Sequence, residues 1–248
     1  HNLRLMGVPV KFLTAFGNDI YANELRTSCA ELGMDISDAV YTELPTSTYL
    51  YITDETGEMQ LAVCDADVAD SIDETYLRSK LEVLNQAALV IFDGNLTEGS
   101  VQFLSENVTA PLFADPVSSK KAQRLRGVLP KLHTFKPNDI EAMHLTGTET
   151  PEDAARALVA LGMKRVFVSC GGNGIIAAEG EQMIHLPCEK TEIVNTTGGG
   201  DASMAALAWS FTQGLSLEQS ARAALKAGAI AVSAEETIAP DMAPERLL

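Results

Sequence analysis

The order of short apolar runs and helical segments along the chain constrains its fold more than any other feature. Strand-like runs that are apolar almost throughout alternate with longer segments of helical periodicity over most of the 248 residues. Such runs are typical of strands buried on both faces of a parallel sheet, and the alternation predicts helices on its flanks. The chain is therefore predicted to be α/β, with strands at 88–92, 112–114, 165–169 and 191–194 and helices at 71–84, 98–107, 138–145, 151–161, 202–213 and 217–233.

Two segments are predicted to be β-hairpins instead, because an alternating strand is followed by a glycine-bearing turn and a second strand. The first comprises 48–52 and 59–63 around a turn at 54–57. The second comprises 174–178 and 182–186 around Gly180. We expect both to be antiparallel additions to one domain that spans residues 1–248.

Composition excludes several classes of partner. The formal net charge of -16 opposes nucleic-acid binding, which depends on clustered Lys and Arg. No apolar run approaches the roughly 20 residues that cross a bilayer, so no membrane association is expected. The cysteines lack the spacing of a zinc site, which predicts reduced thiols in a cytoplasmic protein; they are Cys29, Cys64, Cys170 and Cys188.

A run of three glycines, Gly198, Gly199 and Gly200, stands between a predicted strand and a long apolar helix. Glycine loses the most backbone freedom on folding, so this run predicts a backbone that must approach something closely. Free N–H groups and the positive dipole end at a helix start favour an anion there. Asp201 follows directly as a carboxylate beside that site; the alternative is a flexible turn in which Asp201 is only the N-cap.

Two further segments carry polar groups at predicted strand ends. Asn138 and Glu141 lie three residues apart on one helix face, which suits magnesium binding through water, or equally an N-cap with its capping-box partner. The stretch from Ser169 to Gly174 leads a strand into a glycine-rich turn, which alone also fits an ordinary hairpin connection.

The run from Thr197 to Asp201 reads Thr-Gly-Gly-Gly-Asp and resembles the Thr-Gly-Ala-Gly-Asp signature of ribokinase-like (PfkB-type) carbohydrate and nucleoside kinases. The order of the other segments is also similar to that family: Gly17-Asn18-Asp19, then Lys136-Pro137-Asn138 with Glu141, then the turn after Ser169. The resemblance implies a three-layer ribokinase-like fold with a small β-hairpin lid at about 46–63. It also implies a kinase that uses ATP and Mg²⁺.

The resemblance assigns a role to each candidate site residue. Asp201 is the expected general base and contacts the substrate, and Gly198, Gly199 and Gly200 form the anion hole. Asn138 and Glu141 are expected to hold magnesium through water. The residues expected to bind ATP are Asn138, Ser169, Gly171, Gly172, Gly174 and Thr197. Besides Asp201, the residues expected to bind the substrate are Thr46, Ser47, Thr48, Asn95 and Asp115.

Within the family, the chain is similar to kinases that phosphorylate pseudouridine. The similarity is carried by 46–50, 56–59, 93–95 and 115–118 with Lys121, and by Asn195. Most sugar kinases of the family have Asp where Asn195 stands, so Asn195 departs from the pattern of a monovalent-cation site. Alternatives are a ribokinase- or adenosine kinase-like enzyme and a degenerate module that senses nucleotides or sugars. A homodimer is also expected. For two of the substrate-binding predictions a simpler role is possible: the Thr46–Thr48 hydroxyls could only face solvent, and Asn95 could only cap the next helix.

The first residues predict the end of a helix, with Leu3 and Met6 three apart and Gly7 as its stop. In the family that the chain resembles, this helix follows a Gly-Gly-x-x-x-Asn segment and a first strand. We therefore expect several tens of residues upstream of His1 in the working enzyme.

Overall fold

The computed structural model describes residues 1–53 and 59–248. Its helices are α1 (Asn2–Leu5), α2 (Ile20–Glu31), α3 (Glu74–Ser79), α4 (Leu81–Gln86), α5 (Glu98–Asn107), α6 (Ser119–Ala122), α7 (Asp139–Thr146), α8 (Pro151–Ala160), α9 (Gly199–Thr212) and α10 (Leu217–Val232). Its strands are β1 (Ala15–Phe16), β2 (Val40–Tyr41), β3 (Thr48–Thr53), β4 (Met59–Asp65), β5 (Val90–Asp93), β6 (Leu112–Asp115), β7 (Thr134–Phe135), β8 (Arg165–Ser169), β9 (Ile175–Glu179) and β10 (Gln182–Leu186).

The central sheet has six strands in the order β10-β9-β8-β7-β6-β5. Strands β5 to β8 run parallel, whereas β9 pairs antiparallel with both β8 and β10. The predicted α/β class is confirmed, and so is the hairpin around Gly180. Because the four parallel strands all point the same way, their carboxyl ends meet along one edge of the sheet.

Helices cover both faces of this sheet, as the alternation of its side chains requires. In β8, Val166 and Val168 pack with Leu158 of α8 and Ala142 of α7. Phe167, between them, packs on the opposite face with helices α9 and α10, through residues that include Met204, Leu207, Ala221 and Ala224. The small side chains of α9 and α10 let these two helices lie close to each other and to the sheet.

Two small sheets lie apart from the central one. Strands β1 and β2 pair in parallel, and β3 pairs antiparallel with β4, which confirms the strands of the predicted lid. The predicted turn at 54–57 lies outside the described residues.

Two sequence predictions about secondary structure were wrong. Residues 191–194 form no strand: Ile193 and Val194 are exposed, and the Val194 N–H donates to the Val232 carbonyl at 2.8 Å. The helix predicted at 71–84 is divided into a 3₁₀ turn, α3 and α4. The side chain of Asp73 caps α3 by accepting from the Tyr76 N–H, which starts a new helix inside the predicted one.

No helix among the described residues is long and apolar enough to cross a membrane. The short helix α1 ends before Gly7, whose positive φ of 77° is the conformation predicted for a helix stop.

Candidate active site

The carboxyl ends of the parallel strands bring polar side chains to one edge of the sheet. Asp93 ends β5 and Asp115 ends β6, while Lys136 directly follows β7. Asn138 forms a β-bridge with Ser169 at the end of β8. Ligands of open α/β sheets bind outside the carboxyl ends of the strands, so this edge is the candidate site.

Asp115 is held by both of its carboxylate oxygens. Oδ2 pairs with Lys136 Nζ at 2.8 Å, and Oδ1 accepts from the Val117 N–H at 2.9 Å. Val117 has φ 66°, and the Ser118 N–H donates to the Pro116 carbonyl at 2.7 Å, which makes a γ-turn. A positive φ is strained for a β-branched residue, and such strain persists only where the surroundings impose it.

The glycine turn reaches this edge from the other side. Gly198 is the N-cap of α9 and has φ 88°; a Cβ there would lie 2.2 Å from the Thr237 carbonyl oxygen. Only glycine therefore fits at this position. A Cβ on Gly200 would lie 3.6 Å from Lys136 Nζ, so the buried ammonium stands beside the first turn of α9.

Asp201 lies in that first turn of α9 and is not the N-cap, so its side chain is available to the site. Asp201 is an exposed residue beside the cleft, but protein partly buries its carboxylate. The pKa of Asp201 is raised, first by this burial and then by the nearby charge of Asp115; Lys136 opposes the shift. A carboxylate with a raised pKa is better suited to accept a proton near neutral pH.

Asn95 belongs to a hydrogen-bonded group at the end of β5 and does not cap α5, whose N-cap is Thr97. Its Nδ2 donates to Asp93 Oδ2 at 2.7 Å, and its Oδ1 accepts from Lys121. Burial raises the pKa of Asp93. This arrangement fixes both the amide and the carboxylate at the edge of the cleft.

Asn138 and Glu141 form the capping box of α7. Asn138 Oδ1 accepts from the Glu141 N–H and Glu141 Oε2 accepts from the Asn138 N–H, each at 2.8 Å. The Glu141 side chain is buried, and this burial raises the pKa of its carboxyl. Of the two interpretations that the sequence left open, the capping box is therefore present, and the backbone of Asn138 also pairs with that of Ser169 at the end of β8.

The turn after β8 exposes backbone to solvent. Gly171 and Gly172 have no neighbouring atoms where a Cβ would lie. Gly174 is different, because a Cβ there would lie 1.9 Å from the Leu186 carbonyl oxygen, and its φ is 97°. The Thr197 N–H, near the other glycine turn, donates to Asn195 Oδ1 at 2.9 Å.

The segment that leads into β3 is hydrogen-bonded to the start of α2. The Thr46 hydroxyl donates to Asp19 Oδ1 at 2.6 Å, and the Thr46 N–H donates to Oδ2 at 2.7 Å. The same carboxylate caps α2, and these hydrogen bonds hold its pKa below the ordinary value. Thr46 is buried rather than solvent-facing, whereas Ser47 and Thr48 are exposed.

Comparison with known proteins gives a family for this geometry. The model of the pfkB family carbohydrate kinases matches residues 1–244. The chain belongs to the PfkB family of carbohydrate kinases. It is 34% identical to the pseudouridine kinase of Escherichia coli strain K12 over 250 residues, which cover 97% of this chain and 80% of that protein.

Solved structures show the same fold. A sugar kinase from Clostridium perfringens aligns with a TM-score of 0.84 at 29% identity, over 98% of this chain and 79% of that one. A ribokinase II from E. coli, whose structure contains ATP and Mg²⁺, aligns with a TM-score of 0.85 at 19% identity, over 98% of this chain and 82% of that one. The ribokinase-like fold predicted from the sequence is confirmed.

Three residues of this PfkB kinase site were not selected from the sequence. Asp93 and Lys136 lie in segments that the sequence analysis used for the resemblance, and Asp19 belongs to the Gly17-Asn18-Asp19 segment. The sequence analysis predicted no strand at 134–135, and only the structure shows Lys136 at the end of a buried strand, where a lysine needs a partner. Nothing in the sequence identified Asp115 as that partner.

Proposed function

We propose that this PfkB kinase transfers the γ-phosphoryl group of ATP to the hydroxymethyl group of pseudouridine, which yields pseudouridine 5'-phosphate. The observation that carries the reaction is the Asp201 carboxylate in the first turn of α9, directly after the glycine turn. The choice of acceptor is supported by the 34% identity to a pseudouridine kinase over nearly the whole chain.

Asp201 is the general base in this proposal. It takes the proton of the acceptor hydroxyl while the hydroxyl oxygen forms a bond to the γ-phosphorus and the bond to the β-γ bridging oxygen breaks. ADP leaves with that oxygen. The raised pKa of Asp201 supports the role, since a carboxylate whose pKa is raised accepts a proton more readily.

The backbone N–H groups of Gly198, Gly199 and Gly200 form the anion hole for the transferring phosphoryl oxygens. Donors fixed before the reaction stabilise developing charge without reorganising. Their position is supported by the packing of Gly198 against Thr237, which leaves this turn little freedom. The nucleotide binds along the strand ends and glycine turns, at Asn138, Ser169, Gly171, Gly172, Gly174 and Thr197. The fold shared with a ribokinase II solved with ATP and Mg²⁺ supports that placement.

Asn138 and Glu141 hold Mg²⁺ through water. Their amide and carboxylate oxygens are the hard donors that Mg²⁺ prefers, and the ion usually retains several waters. The Glu141 carboxyl is buried, and this burial raises its pKa, so a bound cation would favour its ionised form. When bound there, Mg²⁺ would supply positive charge that offsets the charge of the phosphates.

The acceptor sugar lies between the strand ends and the lid. Asn95 and Asp115 contact it from the sheet, and Thr46, Ser47 and Thr48 contact it from the base of β3. Their fixed neighbours support these roles: Asn95 is oriented by Asp93 and Lys121, and Thr46 by Asp19. Closure of the lid excludes water, which is the competing phosphoryl acceptor.

A panel of acceptors tests the substrate. The purified chain is assayed with ATP and Mg²⁺ against pseudouridine, uridine, adenosine, ribose and fructose 6-phosphate. Pseudouridine should give the highest kcat/KM. A tenfold preference for another acceptor would overturn the substrate and keep the kinase, as a ribokinase- or adenosine kinase-like enzyme. Nucleotide binding without turnover of any acceptor would favour a sensing module.

The same proposal includes a homodimer formed through the lid. Leu50, Ile52, Leu61 and Val63 share one face of the β3-β4 pair, and each is 58–67% exposed. An aliphatic surface of this kind is stabilised when a second copy covers it. Sedimentation equilibrium should give a dimer mass, and Leu50→Ser with Val63→Ser should give the monomer.

A further inference from the structure

Lys136 is a buried cation in the middle of the site. The residue is 4% exposed and directly follows β7, and its Nζ pairs with Asp115 Oδ2 at 2.8 Å. A buried ammonium is costly unless it is paired. It also stands beside Gly200 in the first turn of α9, where the helix dipole disfavours a cation. A lysine retained in such a place needs a reason beyond packing.

The groups around it are mostly acidic. Asp201 is faced by Asp115 from β6, by Asp93 from β5 and by Lys136. Glu141 of α7 also interacts electrostatically with both Asp115 and Lys136. Among these groups Lys136 is the buried side chain that carries a positive charge.

We propose that Lys136, held in place by Asp115, is a positioning residue that keeps Asp201 ionised as a proton acceptor. This inference rests on the proposed function, in which Asp201 is the general base. Asp115 fixes the ammonium through Oδ2, while the strained turn at Val117 fixes Asp115 through Oδ1. The chain of contacts runs from the γ-turn to Asp115, to Lys136 and then to the first turn of α9.

Each member of the Asp115–Lys136 pair acts on Asp201 with the opposite sign. Loss of the ammonium disfavours the Asp201 carboxylate, and loss of the Asp115 charge favours it. Removal of both charges should therefore return the pKa of Asp201 close to its wild-type value. A residue that only fills space has no such signature.

The pKa of Asp201 can be measured directly, without turnover. Aspartate labelled with ¹³C at Cγ is titrated by NMR, and the resonance is assigned by its loss in Asp201→Asn. Lys136→Met should raise the pKa of Asp201 by about one unit. Asp115→Asn should lower it, and the double variant should lie near wild type. Lys121→Met is the matched control, because that lysine bonds Asn95, and it should leave Asp201 unchanged.

The double variant also guards against misfolding, since it leaves neither charge unpaired. An unchanged Asp201 pKa in Lys136→Met would overturn the inference, and so would a double variant that titrates like Lys136→Met alone.

The pH dependence of kcat then tests the consequence. In Lys136→Met the acid limb of kcat should move to higher pH by the same amount as the pKa, with recovery of the rate above it. A structural role would lower the rate equally at all pH values. If wild type phosphorylates no acceptor, the proposed function fails while the NMR titration still decides the role of Lys136. If wild type is active and the limb does not move, only the role of Lys136 fails.

Discussion

At the scale of single residues, the site is a set of partly or fully buried polar groups whose neighbours fix them. Asp115 uses both oxygens, Asn95 both ends of its amide, and Glu141 is closed into a capping box. Asp201 differs because its carboxylate opens to the cleft. That difference is the one expected between the proposed general base and the groups that fix the shape of the cleft.

Replacement of Asp201 by Asn should lower kcat by at least about 100-fold, since a general base contributes about 10²–10⁴ to the rate. The dissociation constant for ATP, measured by calorimetry, should stay near wild type because the role belongs to the transition state. Asp139→Asn serves as a control, because this carboxylate is also in the first turn of a helix near the site. A near-normal kcat in Asp201→Asn would show that Asp201 is not the general base.

At the scale of elements, the start of α9 depends on one glycine. Gly198 and Gly214 have φ values of 88° and 68°, but a Cβ meets Thr237 at the first position and open space at the second. The two glycines therefore separate the cost of the conformation from the cost of the close approach.

Gly214→Ala should lower the free energy of unfolding by about 1 kcal/mol, which is the cost of the left-handed conformation. Gly198→Ala should lower it by roughly 2 kcal/mol more, because a backbone contact must also be displaced. Urea denaturation measures both. Equal losses would mean that the turn can move away from Thr237, and that the anion hole is less rigid than proposed.

At the scale of the whole molecule, the chain has a formal net charge of -16, and several of its carboxylates lie close together at the carboxyl edge of the central sheet. Burial raises the pKa of Asp93, Glu141 and Asp201, so each carboxylate is less favourable in the folded chain than in the unfolded one. The ionised carboxylates of the site therefore lower the stability of the folded chain, as is common where function and stability compete.

Asp201→Asn should for this reason raise the Tm at neutral pH while it removes activity. Because the folded pKa of Asp201 is raised, the penalty is complete above that pKa and vanishes below the unfolded value of 3.8. The gain in Tm should fade as the pH falls towards that value.

Asp35→Asn is the control of opposite sign. Lys11 and Ser37 hold the pKa of Asp35 well below its ordinary value, so its contribution is present at neutral pH and is lost in acid. Differential scanning calorimetry from about pH 2 to pH 8 compares the two variants across both transitions. A lower Tm for Asp201→Asn at neutral pH would contradict the electrostatic account of the site.

The apolar pattern of the sequence predicted several strands correctly but misassigned one segment. The alternation of apolar runs located β6, β8 and the hairpin of β9 and β10, because burial on both faces leaves a continuous apolar pattern. The same reasoning misassigned 191–194, where Ile193 and Val194 are exposed. An apolar run indicates a strand only if the fold places it beside another strand, and local sequence does not contain that information.

The sequence by itself determined the α/β class, the glycine turn and the positions of Asp201, Asn138 and Glu141, because each depends on residues close together in the chain. Only the tertiary structure decided that Asp115 partners Lys136 and that Thr46 partners Asp19. Asp115 and Lys136 are 21 positions apart in the sequence, and Asp19 and Thr46 are 27 positions apart. Their contact follows from the parallel order of the strands and from the position of the segment before β3 against the start of α2, which are properties of the folded chain as a whole.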